Sequence, residues 1–244
     1  MKTIPRLYSD QALGAHGEVP LTREQAHYLT VVLRLGDGDP VRVFNGRDGE
    51  WLAHLGQLSK RSASLRCETR LAHVNPPPDI DYLFAPLKHA RLDYLVQKAT
   101  ELGARRLRPV ITERTIAKSV NLERMRANVI EAAEQCNLVF LPEVAEPETL
   151  EKVLARWDKA RALVYCDETA DAADPIGTLR GIGLPAAVLV GPEGGFAPSE
   201  KNLLKSFAFV TAISMGPRIM RADTAAVAVM ALVQAVLGDW HQQI

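Results

Sequence analysis

Val190-Gly191-Pro192-Glu193-Gly194-Gly195-Phe196 and Met215-Gly216-Pro217-Arg218-Ile219-Met220-Arg221-Ala222-Asp223-Thr224-Ala225 are the two stretches that decide how this chain is read. Each follows an apolar run that reads as a buried strand, Ala186 to Val190 and Phe209 to Met215, and each leads toward a helix. Glycine permits close approaches that a Cβ would block, and proline fixes φ. Two such loops at the carboxyl ends of strands surround a small ligand with bare backbone N–H and C=O groups, where open α/β sheets bind their ligands. Neither loop fits a common nucleotide signature: Gly-Lys-Ser/Thr is missing, Gly-x-Gly-x-x-Gly is not matched, and Pro192 removes a donor. A loop carrying Glu193 suits a neutral or cationic ligand better than a polyphosphate.

Outward from these loops, strands and helices alternate. Ile80 to Ala85 predicts a strand, and His89 to Leu102 a helix with Leu92, Leu95, Val96 and Ala99 at helical spacing, stopped by Gly103. Leu107 to Ile111 and Leu163 to Cys166 are strands; Asn121 through Cys136 and Pro147 to Trp157 are helices. This alternation predicts a parallel sheet covered by helices. The apolar run Thr224 to Gly238 would span roughly 22 Å as a helix, short of the ~30 Å hydrocarbon core, so a buried helix is expected and no membrane span. It is apolar all round and must be covered on every side, which predicts a homodimer.

The first 72 residues differ. Residues 40–45, 51–55 and 63–68 form short alternating runs separated by turn signals, as in a small antiparallel barrel, with a helix over 22–33 capped by Thr22 and Gln25. Three consecutive prolines, Pro76 to Pro78, mark a stiff linker over 73–79. The expected domains are therefore 1–72 and 80–244.

Three dispersed cysteines argue against a disulfide framework, and no Cys/His spacing resembles a zinc site, so no metal is expected. The start of the chain has no apolar signal segment, and a cytoplasmic location is expected. Net charge is zero, yet residues 88–126 carry ten Lys/Arg against four Asp/Glu, and 127–175 carry four against eleven. Such segregation reads either as a basic face for phosphates or as solvated helix faces whose charges mix.

The two glycine loops resemble the cofactor region of the SPOUT methyltransferases. More narrowly, they resemble the RsmE family, which methylates N3 of a uridine in small-subunit (16S) ribosomal RNA. Ile4-Pro5-Arg6, Val32 to Gly38, Gln97 to Gly103, Thr112-Glu113-Arg114 and Ala132 to Cys136 match other marked segments of that family. Met220 stands where Leu is usual, Asp223 where Glu is usual, and Asn137 where Gly or Arg is typical.

The resemblance implies an α/β SPOUT domain with a deep trefoil knot, a PUA-like RNA-binding barrel before it, S-adenosylmethionine as cofactor, and an obligate dimer. By match of position, it implies that the backbone of Val190, Gly191, Gly194, Met215 and Gly216 holds the cofactor. Ile219, Met220, Thr224 and Ala225 would pack against it, with Pro192, Glu193 and Arg221 in the same site. Methyl transfer needs chiefly alignment and a dry site. Arg221 or Arg218 would stabilise the anion developing on the uridine, Arg221 being equally readable as an ion-pair partner of Asp223. Glu193, Asp223 and Glu101 are the carboxylates able to take the proton. Arg6, Arg34, Arg42 and Arg47 of the barrel, and Lys88, Lys98, Arg114 and Lys118 beyond it, are the expected phosphate contacts for ribosomal RNA or the small subunit. A ribose 2′-O or transfer-RNA methyltransferase, and a non-catalytic ribosome-assembly factor, are the rival readings.

Overall fold

The computed structural model describes residues 4–56, 63–88, 90–170 and 174–240, and it divides into two compact units. One comprises Met1–Asn75 with Ala133–Phe140, the other Pro76–Ala132 with Leu141–Ile244.

In the first unit the strands are β1 (Arg6–Tyr8), β2 (Glu18–Pro20), β3 (Pro40–Phe44), β4 (Glu50–Gly56) and β5 (Ser64–Ala72), hydrogen-bonded in the order β1-β3-β4-β5-β2. The sheet is not wholly antiparallel as expected, because β1 pairs parallel to β3, Arg6 opposite Arg42. Alternation along the strands sends Val41, Val43, Ala53, Leu55, Leu65 and Cys67 into one core. The helix α1 (Arg23–His27) opens on the expected capping box: Thr22 Oγ1 accepts from the Gln25 N–H and Gln25 Oε1 from the Thr22 N–H. It continues as a π-helical turn over Tyr28–Val32.

The second unit runs β6 (Ile80–Phe84), α2 (Ala90–Glu101), β7 (Arg106–Ile111), α3 (Leu122–Gln135), β8 (Glu143–Val144), β9 (Glu148–Thr149), α4 (Leu150–Ala155), β10 (Ala162–Cys166), α5 (Pro175–Arg180), β11 (Ala186–Val190), α6 (Pro198–Lys205), β12 (Val210–Ile213) and α7 (Ala222–Val236). The last turn of α3 is grouped with the first unit. The sheet order is β12-β10-β11-β6-β7-β8, with β9 also on β7, and every pairing is parallel. Both β6 and β11 are buried at all five positions, as strands covered on two faces must be. Tyr82, Phe84, Val188 and Val190 pack with residues of α2, α3 and α7 in one core cluster. Leu83, Ala187 and Leu189 join residues of α4 and α6 in another.

Two expected elements shrink. The helix foreseen over 147–157 keeps only Leu150–Ala155, because 148–149 pair with β7 and Thr149 caps the helix start. The strand foreseen over 209–215 ends at Ile213, where the second loop begins. Helix α7 starts at Ala222 with Arg221 at its N-cap. It buries Ala226, Val229, Met230 and Val233, while Ala225, Leu232 and Val236 are half-buried. Among the described residues no helix is long and apolar enough to cross a membrane.

The sheet order fixes where a ligand can sit. Strand β11 lies on one side of β10 and β12 on the other. The chain therefore changes direction across β10, and the loops leaving the three strands open a crevice at their carboxyl ends.

Candidate active site

That crevice is a cavity of about 400 Å³, within the range of small-molecule sites. Its lining comes from three stretches. The first glycine loop contributes Val190, Gly191, Pro192, Glu193, Gly194, Gly195 and Phe196; the second contributes Met215, Gly216, Arg218, Ile219, Met220, Arg221, Ala222 and Ala225. The third stretch, Cys166-Asp167-Glu168 at the end of β10, was not read from the sequence. Of the residues expected around the cofactor, Thr224 alone does not line the cavity.

Glycine has distinct uses in the two loops. A Cβ on Gly191 would come within 2.9 Å of the Phe196 ring, so the ring closes over bare backbone. Gly216 has φ +98, a conformation that side-chain-bearing residues avoid. Apolar surface is supplied by Val190, Met215, Ile219 and Ala225, and Ile219 is 89% exposed at the rim.

The charges are sorted around this cavity. Arg91 on α2 reaches 3.6 Å from Glu193 and 4.0 Å from Asp223, tying together carboxylates from both loops. Asp223 thus faces Arg91, while Arg218 and Arg221 are exposed beside the cavity. Glu101 does not join them; it pairs with Lys98 at 2.7 Å. Below Glu168, the buried Asp167 accepts from Lys201 Nζ at 2.7 Å and from the backbone N–H and hydroxyl of Thr169. Burial opposes its charge, but the Lys201 and Thr169 hydrogen bonds outweigh burial and hold the carboxyl below its ordinary range. Burial pushes the Cys166 thiol up to about 12, so it stays protonated at neutral pH.

The expected phosphate contacts divide. In the first unit Arg34 and Arg47 are exposed, but Arg6 is not available to a phosphate. Its side chain is 6% exposed, paired with the buried Glu50 and donating to the carbonyls of Ala133 and Leu138, while its guanidinium lies over the Phe44 ring. Arg42 shares Glu50 and also donates to Asn137. In the second unit Lys88, Arg114 and Lys118 are exposed, whereas Lys98 is engaged by Glu101. Much of the basic run 88–126 is balanced locally: Arg106 and Arg108 converge on the buried Asp81, and Arg124 on Asp93. The charge count along the chain overstated what faces outward. Among the described residues no group of three or more His, Cys, Asp or Glu is placed to hold a metal ion.

The family matches place this parallel sheet with a glycine-walled cavity, and the small five-stranded unit, among RNA methyltransferases. The family described as "RNA methyltransferase domain" matches residues 74–234, and that described as "RNA methyltransferase PUA domain" matches residues 21–67. The ribosomal RNA small subunit methyltransferase E of Rickettsia conorii is 31% identical over 98% of both chains. That of Synechocystis is 36% identical over 90% of this chain and 73% of its own. The crystal structure of ribosomal RNA small subunit methyltransferase E from Neisseria gonorrhoeae, bound to S-adenosyl methionine, superposes with a TM-score of 0.86 at 27% identity, covering 98% of this chain and all of that one. The chain belongs to the ribosomal RNA small subunit methyltransferase E family. The fold class expected from the sequence, an α/β domain on a parallel sheet with a PUA-like unit before it, holds.

Proposed function

We propose that this chain transfers a methyl group from S-adenosylmethionine to N3 of a uridine in small-subunit ribosomal RNA, with the cavity between the glycine loops as its site. One observation carries the reading: both loops, with the end of β10, wall a single cavity in a chain of this family. The lining suits the cofactor. Bare backbone at Gly191, Gly194 and Gly216 offers N–H and C=O groups, Met215 and Ile219 offer an apolar bed for adenine, and Glu168 and Glu193 offer negative charge to a cation.

When bound, S-adenosylmethionine supplies an electrophilic methyl group. The chain's own residues do the rest. The uridine N3–H is an imide whose anion spreads onto O2 and O4; Arg221 or Arg218, both lining the cavity, stabilises that charge. Glu193 or Asp223, tethered by Arg91, takes the proton. Arg34 and Arg47 of the PUA-like unit, and Lys88, Arg114 and Lys118 of the other, hold the RNA backbone. The half-buried face of α7 packs on a second copy of the chain, and the enzyme works in the cytoplasm, where its RNA is.

Incubation with labelled S-adenosylmethionine and unmodified small subunits, followed by nucleoside analysis, tests this directly. The expected product is 3-methyluridine. A label resisting alkaline cleavage of the neighbouring phosphodiester would point to ribose 2′-O transfer, and no label at all to an assembly factor.

A further inference from the structure

We infer that Glu200 and Arg114 are positioning residues for the first glycine loop, which they hold from outside the cavity through Ala197 and Gly194. The inference rests on the reading of that loop as part of the S-adenosylmethionine site. Neither residue lines the cavity. Glu200 lies in the first turn of α6 and is 3% exposed. Its two carboxylate oxygens each accept a backbone N–H at 2.8 Å: Oε2 from Ala197, where the loop ends, and Oε1 from Glu113, in the turn after β7. The next residue in that turn, Arg114, donates from Nη1 to the Gly194 carbonyl at 2.8 Å. Its Cδ and Cβ lie 3.6 and 3.7 Å from the point a Cβ on Gly194 would occupy. Residues 113 and 114 therefore grip both ends of the segment 194–197.

The gripping turn is itself fixed. Thr112 and Thr115 are buried, the Thr115 hydroxyl accepts the Thr112 N–H at 2.8 Å, and the two hydroxyls are 2.8 Å apart. A continuous set of hydrogen bonds thus runs from the end of β7 to the wall of the cavity. Helix capping accounts for the bond from Ala197 to Glu200, but not for the one from Glu113. A carboxylate is the side chain that accepts from two N–H groups at once; an amide would set its own NH2 against one of them. The reason for such a brace lies in the loop's composition. Glycines lose the most conformational freedom when ordered, so a glycine loop that is fixed beforehand binds more tightly than one ordered by its ligand.

The test is calorimetry of S-adenosylmethionine binding to wild type, Glu200→Gln, Arg114→Ala and Arg114→Lys, with thermal unfolding of the ligand-free proteins alongside. Glu200→Gln and Arg114→Ala are each expected to weaken binding about tenfold, a shift of about 1.4 kcal/mol. In Glu200→Gln the KM for S-adenosylmethionine should rise while kcat at saturation changes far less, and Arg114→Lys should recover part of the affinity that Arg114→Ala loses. A purely structural role would lower the unfolding temperature and leave the Kd of the folded protein alone. Arg114 is exposed, so its alanine variant decides the matter if Glu200→Gln does not fold. Folded variants that bind like wild type would overturn the inference and leave the reading of the cavity standing. A wild type that takes up no S-adenosylmethionine would bring down that reading and the inference with it.

Discussion

The ammonium group of Lys201 lies 2.7 Å from the Asp167 carboxylate, of which only 1% is exposed. Asp167 is one of the cavity-lining residues, so this pair joins α6 to the end of β10 beneath the site. Burial opposes both charges, yet their hydrogen bond holds the aspartate low and the lysine high. A depressed carboxyl stabilises the fold above its unfolded pKa, and that contribution is lost as pH falls through the folded value. A raised lysine stabilises below its unfolded pKa, and that is lost as pH rises through the folded value. The pair therefore adds a constant stability across neutral pH. Lys201→Met should remove about 2 kcal/mol of it, because a buried carboxylate loses its charged partner. Urea unfolding at pH 7, compared with pH 3, checks this; an unchanged difference between wild type and variant at the two values would contradict it.

The thiols give a second prediction. Cys136 is exposed, whereas Cys166, at about 12, is almost wholly thiol at pH 8. Since the thiolate is the attacking species, iodoacetamide at pH 8 should label Cys136 and spare Cys166. Peptide mass spectrometry reads the two sites separately.

Gly191→Ala should harm both stability and binding. The added methyl meets the Phe196 ring at 2.9 Å, and the ring must move toward the cavity or off the Tyr165 edge it now contacts. Overpacking of this kind costs about 1–3 kcal/mol. Calorimetry should show weaker uptake of S-adenosylmethionine, and wild-type affinity in this variant would argue against a cofactor at the loop.

Arg6→Ala should act on the fold and not on RNA. It leaves Glu50 with one cationic partner and strips donors from the carbonyls of Ala133 and Leu138 at the end of α3. Breaking a buried pair in this way costs about 3 kcal/mol. The salt dependence of RNA binding, which counts phosphate contacts, should keep its slope in the folded variant. A shallower slope would restore Arg6 to the interface.

The sequence showed α2, α3 and β11 because their signals are local. Leu92, Leu95, Val96 and Ala99 repeat at helical spacing, the Asn121 side chain caps α3 by accepting from the Arg124 N–H, and β11 is an unbroken apolar run between breakers. Helix α5 was missed because six residues carry too little periodicity, although Asp174 followed by Pro175 is a start signal. At the site, both glycine loops were legible from glycine and proline alone. The third wall was not: Cys166-Asp167-Glu168 contains no breaker, and its place follows from β10 lying between β11 and β12, a fact of sheet order. Arg91 was hidden for a similar reason, since nothing in its helix tells that both loops end beside it. The pairing of Arg6 with the buried Glu50 has no sequence signal, since the two residues are 44 positions apart and meet only once the sheet forms.

Residues 133–140 carry one further consequence. The small β unit borrows them from a stretch far along the chain: the Tyr8 N–H donates to Glu134, and Arg6 needs the carbonyls just beyond. A gene fragment stopping at the triple proline would encode every strand of that sheet and still omit part of its scaffold. Attempts to graft this module onto another enzyme, or to express it alone for structural work, must therefore supply an octapeptide in trans or splice it in by a permuted connection.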